Sequence, residues 1–317
     1  MMKRIMLFLC VLFVSCPVFA ETGELIAVSK KGILSEVLGV LEQGYPVDER
    51  DSGGLTPLMW AVRVNASPDV IDTLVRAGAF INAKDNTGTT PLMWAAEKNK
   101  NPRVISYLLS KGAFIDEKDE NGTTALMWAC VHNKKEIVDL LIEGGADVNM
   151  SDVFRMTPLL WAAKNNRDVG VLNSLLDAGA DIYTRGEQGE TALMLAAESN
   201  PNVAVLDVLM NNGSNLYEHD DYGATALMWA AYNNKEVAVV QKLIELGSSV
   251  NDRNIDGKTA LILACEKTKK PKIVELLLDA GTDIRVMDND GMTAYDYALK
   301  NPELSKDEVI LERLKAE

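Results

Sequence analysis

The chain is 317 residues long, 47% hydrophobic and 25% charged, with four cysteines. It is too apolar for a disordered segment and too poor in cysteine for a disulfide-built scaffold. Its 46 acidic and 32 basic residues leave a formal charge of -14 and a pI of about 4.7, which argues against gripping a nucleic-acid backbone or an anionic membrane surface and favours neutral or basic partners.

Residues 1–20 read as an export signal. Lys3 and Arg4 precede the apolar run Ile5 to Val14, and Val18-Phe19-Ala20 offers a cleavage site ahead of polar Glu21. The run is too short to span a bilayer, and nothing later approaches the length of a membrane helix. A rival reading is a lipoprotein box at Phe13-Val14-Ser15-Cys16, with Cys16 as the lipid anchor; Phe13 departs from the aliphatic residue usual there. Either way the chain leaves the cytoplasm, for the periplasm or the medium. Cleavage after Ala20 removes two basic residues and no acidic one, leaving a charge of -16.

A length-based prior of about two domains yields to an internal repeat. Thr56-Pro57-Leu58-Met59-Trp60-Ala61 returns at Thr90, Thr124, Thr157, Thr191, Thr225, Thr259 and Thr293, spaced 34, 34, 33, 34, 34, 34 and 34 residues. Self-similarity at this period predicts a solenoid. The Gly-x-Thr-Pro-Leu start, the Leu-rich second helix and the tail Gly144-Gly145-Ala146-Asp147-Val148-Asn149 resemble the ankyrin repeat. The resemblance covers essentially the whole chain after the signal. It implies an all-α repeat solenoid of stacked helix-turn-helix units with β-hairpin fingers.

The residues agree with that expectation. Thr56 caps a helix whose first position is Pro57. This first helix ends nine residues after each Thr at Asn65, Asn99, Asn133, Asn166, Asn200 or Asn234, where ankyrin units ordinarily carry Gly. Asn is the next best residue for the left-handed conformation that ends a helix. Ser67-Pro68 and Asn101-Pro102 read as starts of the second helix, which Gly78, Gly112, Gly145 and Gly179 stop. Gly112 to Thr124 reads as a β-hairpin finger. Residues 21–51 form an N-terminal cap unit, 52–287 seven full repeats, and 288–317 a C-terminal cap closed by a helix over Ser305 to Leu314.

Residues for chemistry are scarce. His132 and His219 fall more than two repeats apart, so no two-histidine metal site forms within one chain. Cys130 and Cys265 occupy the small position held elsewhere by Ala96 and Ala163, four repeats apart, and are expected as buried free thiols. Neither a phosphate loop nor a nucleophile elbow is present. The expectation is no enzyme, no metal and no cofactor.

Surface chemistry remains. At 100° per residue Leu58, Ala61 and Val62 face the core, and Trp60, Arg63 and Val64 the opposite side. In ankyrin-like stacks that side is concave. Trp60, Trp94, Trp128, Trp161 and Trp229 share this position, with Leu195, Leu263 and Tyr297 in the other copies; each ring either packs beneath its own finger or joins an exposed ladder. The resemblance places binding residues on the fingers and just after the Ala-Ala pair. Most are polar, such as Glu97, Glu187, Gln188 and Glu198, but the middle of the chain carries Val131, His132, Val153, Phe154 and Met156, with Arg155 in place of a turn Gly. Tyr222 and Tyr232 continue the aromatic character. With Trp128 and Trp161 these form the candidate partner-binding set, against the alternative of a finger that merely lost its Gly. Phe80 and Phe114 make a second candidate patch.

The function expected is a monomeric, exported, non-enzymatic adaptor or inhibitor that binds another protein, its acidity suiting a basic one. The alternative is an accessory to an envelope enzyme or to peroxide defence, or a secreted host-directed effector.

Overall fold

The computed structural model describes residues 23–64, 66–233 and 236–315. The export segment and Cys16, together with Asn65 and Asn234, lie outside the described residues. Within them the chain runs as α1 (Glu24–Lys31), α2 (Leu34–Glu42), α3 (Pro57–Arg63), α4 (Pro68–Arg76), α5 (Pro91–Lys98) and α6 (Pro102–Ser110). It continues as α7 (Ala125–His132), α8 (Lys135–Glu143), α9 (Pro158–Asn165), α10 (Val169–Asp177), α11 (Ala192–Ser199) and α12 (Ala204–Asn211). The last six are α13 (Ala226–Asn233), α14 (Val237–Glu245), α15 (Ala260–Lys267), α16 (Pro271–Asp279), α17 (Ala294–Lys300) and α18 (Glu308–Leu314).

Odd-numbered helices pack on their odd neighbours and even on even, giving an inner and an outer row. The inner row packs more closely because its facing residues are small: Ala61, Ala95, Ala96, Ala129, Cys130, Ala162 and Ala163 are all fully buried. Larger side chains on the outer helices, Val70, Ile71 and Leu74 in α4 and Val104, Ile105 and Leu108 in α6, fill the space between the rows. One core runs without a break from Leu25 to Leu314, so each unit is stabilised by its neighbours in place of two independent domains. None of the described helices is long and apolar enough to cross a membrane.

Each inner helix is started by its Thr. Thr56 Oγ1 accepts the Met59 N–H at 3.3 Å, and Met59 Sδ takes the Thr56 N–H at 3.4 Å. Thr90 with Met93 and Thr191 with Met194 repeat this. A capping box usually uses Glu or Gln, but Met59, Met93 and Met194 are buried, and a thioether fills that site without burying charge. At the C-terminal end, where the position is more open, Asp296 does the same work, accepting the Thr293 N–H at 2.8 Å.

Three expectations need correction. The Asn residues that end the inner helices are extended, not left-handed: Asn99 has φ -82 and ψ 132, Asn200 φ -81 and ψ 123. They are kept for their side chains. Asn200 Nδ2 donates to Ala163 O at 2.9 Å and Asn166 O at 2.8 Å in the preceding unit, and Asn166, Asn133, Asn99 and Asn301 reach back likewise. Glycine could not do this. The fingers are not strand pairs, for among the described residues the only bridge is Met287 with Thr293. Each is a hairpin reduced to its loop, as where Asp85 N donates to Thr89 O and Gly88 N to Asp85 O. The closing helix starts at Glu308, capped by Asp307, whose carboxylate accepts the Ile310 N–H; Ser305 lies in the turn before it.

Candidate functional site

The inner face is organised by a recurring bond between a finger and the aromatic nine residues on. Trp60 Nε1 donates to Asp51 Oδ2 at 2.8 Å, Trp94 to Asp85 at 2.9 Å, Trp161 to Asp152 at 3.0 Å and Trp229 to Asp220 at 2.8 Å; in the last unit Tyr297 OH donates to Asp288 at 2.7 Å. The other carboxylate oxygen holds the finger's own backbone, as Asp85 Oδ1 does with the N–H groups of Thr87 and Thr89. One aspartate thus shapes the loop and pins it to a half-buried ring. Burial alone would push the Asp51 and Asp288 carboxyls up, but hydrogen bonds from Trp60 or Tyr297 and from backbone N–H groups hold both below the usual carboxylate range.

Three units break the pattern: Asp119 and Trp128 are both present but Trp128 Nε1 is unpartnered, and two units lose the residues as pairs, with Leu195 nine residues after Gly186 and Leu263 nine after Asn254. Where the donor is gone, so is the aspartate. Each smaller Leu leaves a cleft beside the Trp of the preceding unit. The first, of about 240 Å³, has Trp161, Met156 and Leu195 as its floor and Phe154, Glu187 and Glu190 at its rim. The second, of about 360 Å³, has Trp229 and Leu263 below and Tyr222, Tyr232, Asp256 and Glu266 around it.

Arg155 opens the first cleft further. Neighbouring fingers are tied by backbone bonds: Asn86 N to Gly53 O, Glu120 N to Thr87 O, Val153 N to Asn121 O, Asp221 N to Gln188 O, Ile255 N to Tyr222 O and Asn289 N to Asp256 O. Among the described residues the series fails once, between Phe154 O and Glu187 N. The fingers turn on a left-handed Gly at positions such as Gly122 and Gly223, where an added Cβ would sit 3.2 Å from the next finger's backbone nitrogen. Arg155, at φ 59, is the one described residue other than Gly in this conformation. By analogy with Gly122 and Gly223, a Cβ at this position crowds the backbone of the next finger, which gives the missing glycine and the missing bond one physical explanation.

The structure brings together Phe154, Met156 and Trp161 in the first cleft and Tyr222 and Tyr232 in the second. Phe154, Val153 and Tyr222 are exposed at 51%, 58% and 48%. Met156 is not a fingertip contact, for it is buried at 7% exposure in the main core. Val131, His132 and Val153 line neither cleft. Trp128 stacks on His132 at 6.0 Å, and its buried Nε1 lacks the aspartate bond of the other tryptophans. Burial holds the His132 imidazole below its ordinary pKa. Phe80 and Phe114 stand exposed at the turn after the outer helices, not packed between units. Sequence reasoning missed Asp152, Asp220 and the Gly186–Leu195 and Asn254–Leu263 pairs; the signal was the joint change of two positions nine apart within the repeat.

Cys130 and Cys265 are free and buried. Burial pushes both thiols up, Cys265 to about 12, so neither is a nucleophile near neutral pH. No group of three or more His, Cys, Asp or Glu side chains is placed to hold a metal among the described residues.

A family model described as ankyrin repeats (3 copies) matches residues 25–119, 99–185, 159–254 and 234–312. The chain belongs to the ankyrin-repeat family. No curated protein matches it in sequence. Ankyrin repeats are in general scaffolds for protein–protein contact, and this ankyrin-repeat chain differs from a uniform stack at its two clefts.

Proposed function

We propose that the protein is an exported, non-enzymatic adaptor or inhibitor that binds a basic protein partner across its inner face and fingers, acting as a monomer. The observation that carries this reading is Phe154, an exposed ring at the tip of the finger that Arg155 holds apart from its neighbour. A ring displayed over an open cleft has no packing duty in its own chain, and exposed aromatics of this kind anchor interfaces. The charge of -14 supports a basic partner through steering.

The test is capture from an envelope fraction with the chain from Glu21 onward. Phe154→Asp abolishes capture of the partner and leaves helical circular dichroism unchanged; undiminished capture refutes the site. Export is proposed on Lys3, Arg4 and the apolar run after them, with release to the periplasm or the medium. A mature N-terminus at Glu21 supports this, and a diacylated Cys16 would replace it with a lipid anchor.

A further inference from the structure

The two clefts share a Trp and Leu floor, and the chain's own cations show what those floors lack. Elsewhere on the inner face the chain covers its rings with positive groups: Lys30 lies 4.2 Å from the Trp60 ring, Arg63 lies 4.9 Å from Trp60 and 4.5 Å from Trp94, and Lys258 lies 4.7 Å from Tyr297. In the second cleft Lys267 lies 5.8 Å from the Tyr232 ring at the side, but among the described residues no cation lies over Trp161 or Trp229, the two rings that floor the clefts. Both clefts carry an excess of carboxylates. Lys164 beside the first is paired with Glu198 at 3.0 Å, leaving Glu187 and Glu190 at the rim. Lys258 beside the second is paired with Glu266 at 2.6 Å, leaving Asp256 exposed and uncompensated. An aromatic floor under a carboxylate rim is the environment of a guanidinium or ammonium group.

The period fixes how far apart two such groups must be. Trp161 and Trp229 are 68 residues, two repeats, apart. At about 9 Å between neighbouring helices this is about 18 Å, which an extended chain at roughly 3.3 Å per residue covers in about five or six residues. Only an even spacing points both side chains to the same face. We infer that the two clefts together take an extended segment of the partner, with one arginine or lysine seated on Trp161 and a second, six residues along, on Trp229.

This rests on the reading of the protein as a scaffold for a basic partner, and the experiment separates the two. The probe is a short Ser/Thr peptide carrying two arginines, titrated into the purified protein by calorimetry. Arginines six residues apart bind at least about tenfold tighter than a single arginine, or than two arginines three apart with the same charge, because the second contact becomes intramolecular. Rebuilding the common pair closes one cleft at a time: Gly186→Asp with Glu190→Thr and Leu195→Trp, or Asn254→Asp with Leu263→Trp. Either returns the peptide to single-arginine affinity, and since the rebuilt pair is the one most other units use, the fold is kept. Glu187→Gln and Asp256→Asn each weaken binding several-fold with no change in unfolding midpoint. Affinity that ignores the spacing, or survives closure of a cleft, overturns the inference. If it falls in this way while partner capture still depends on Phe154, the scaffold reading stands; if the peptide behaves as described while Phe154→Asp leaves capture intact, the fingertip reading falls and the clefts remain.

Discussion

Trp94 donates its indole N–H to Asp85 across 2.9 Å while the other oxygen of Asp85 holds the N–H groups of Thr87 and Thr89. Finger and inner helix are therefore locked by one side chain that is only 8% exposed. A buried, charge-assisted network of this kind is costly to break at one end.

Replacing Asp85 with Asn keeps an oxygen for the loop but turns an amide N–H toward the indole. The expected loss is about 1–3 kcal/mol in urea unfolding. Combining Asp85→Asn with Trp94→Leu recreates the Asn254 and Leu263 pair that the chain already tolerates, so the double change costs less than the sum of the two singles. Strict additivity would show that the two residues are not coupled.

The same bonds set the acid limit. Because the Asp51 and Asp288 carboxyls are held below their ordinary range, their contribution is complete above the unfolded value of about 3.9 and is lost as pH falls through the lower folded value. Trp60→Phe removes the indole donor from Asp51, so the stability gap between wild type and this variant is full at neutral pH and closes below about pH 4. A gap that persisted unchanged in acid would place the effect of Trp60 in packing alone.

Asn200 offers a separate test of how the units are joined. Its amide bridges two carbonyls of the preceding unit and its oxygen accepts the Asn202 N–H at 3.0 Å. Asn200→Ala leaves buried carbonyls unpaired and costs about 1–3 kcal/mol. Asn200→Gly is no better, because the backbone there is extended and gains nothing from glycine. If Gly equalled the wild type in denaturant midpoint, the amide bridges would contribute nothing.

These cases show what the sequence made legible. The repeat, the helix starts at Thr56 and its copies, and the small inner positions of Cys130 and Cys265 follow from local spacing, and the structure keeps them. The spacing puts the Asn residues at the helix ends but not in their extended conformation, because a helix end is visible in one repeat but a side chain reaching into the unit before it is not. The apolar character of Met156 points to a finger contact, whereas the side chain packs into the main core. The clefts needed two positions to be read together, since Leu195 is unremarkable until Gly186 is seen nine residues earlier.

Cys130 and Cys265 sit beneath fully packed helices with their thiols pushed up. Neither reacts with a thiol reagent in native buffer, and both react at the rate of unfolding in denaturant. Rapid native labelling, or a disulfide between them by mass spectrometry, would contradict the stacking order.

Arg155 links stability to the candidate site. Its left-handed backbone, φ 59, costs about 1–2 kcal/mol relative to a right-handed or extended residue, and it stands where the other fingers have the glycine that lets the next finger approach. Arg155→Gly relieves the strain at some cost in unfolded-chain entropy, so the net gain expected is about 0.5–1 kcal/mol in the unfolding midpoint. The restored finger bond also slows exchange of the Glu187 amide and draws the fifth finger toward Phe154, which narrows the first cleft and weakens capture of the partner. Greater stability with weaker binding is the outcome that marks Arg155 as kept for the site. A gain in stability with binding unchanged would make it a finger that merely lost its glycine.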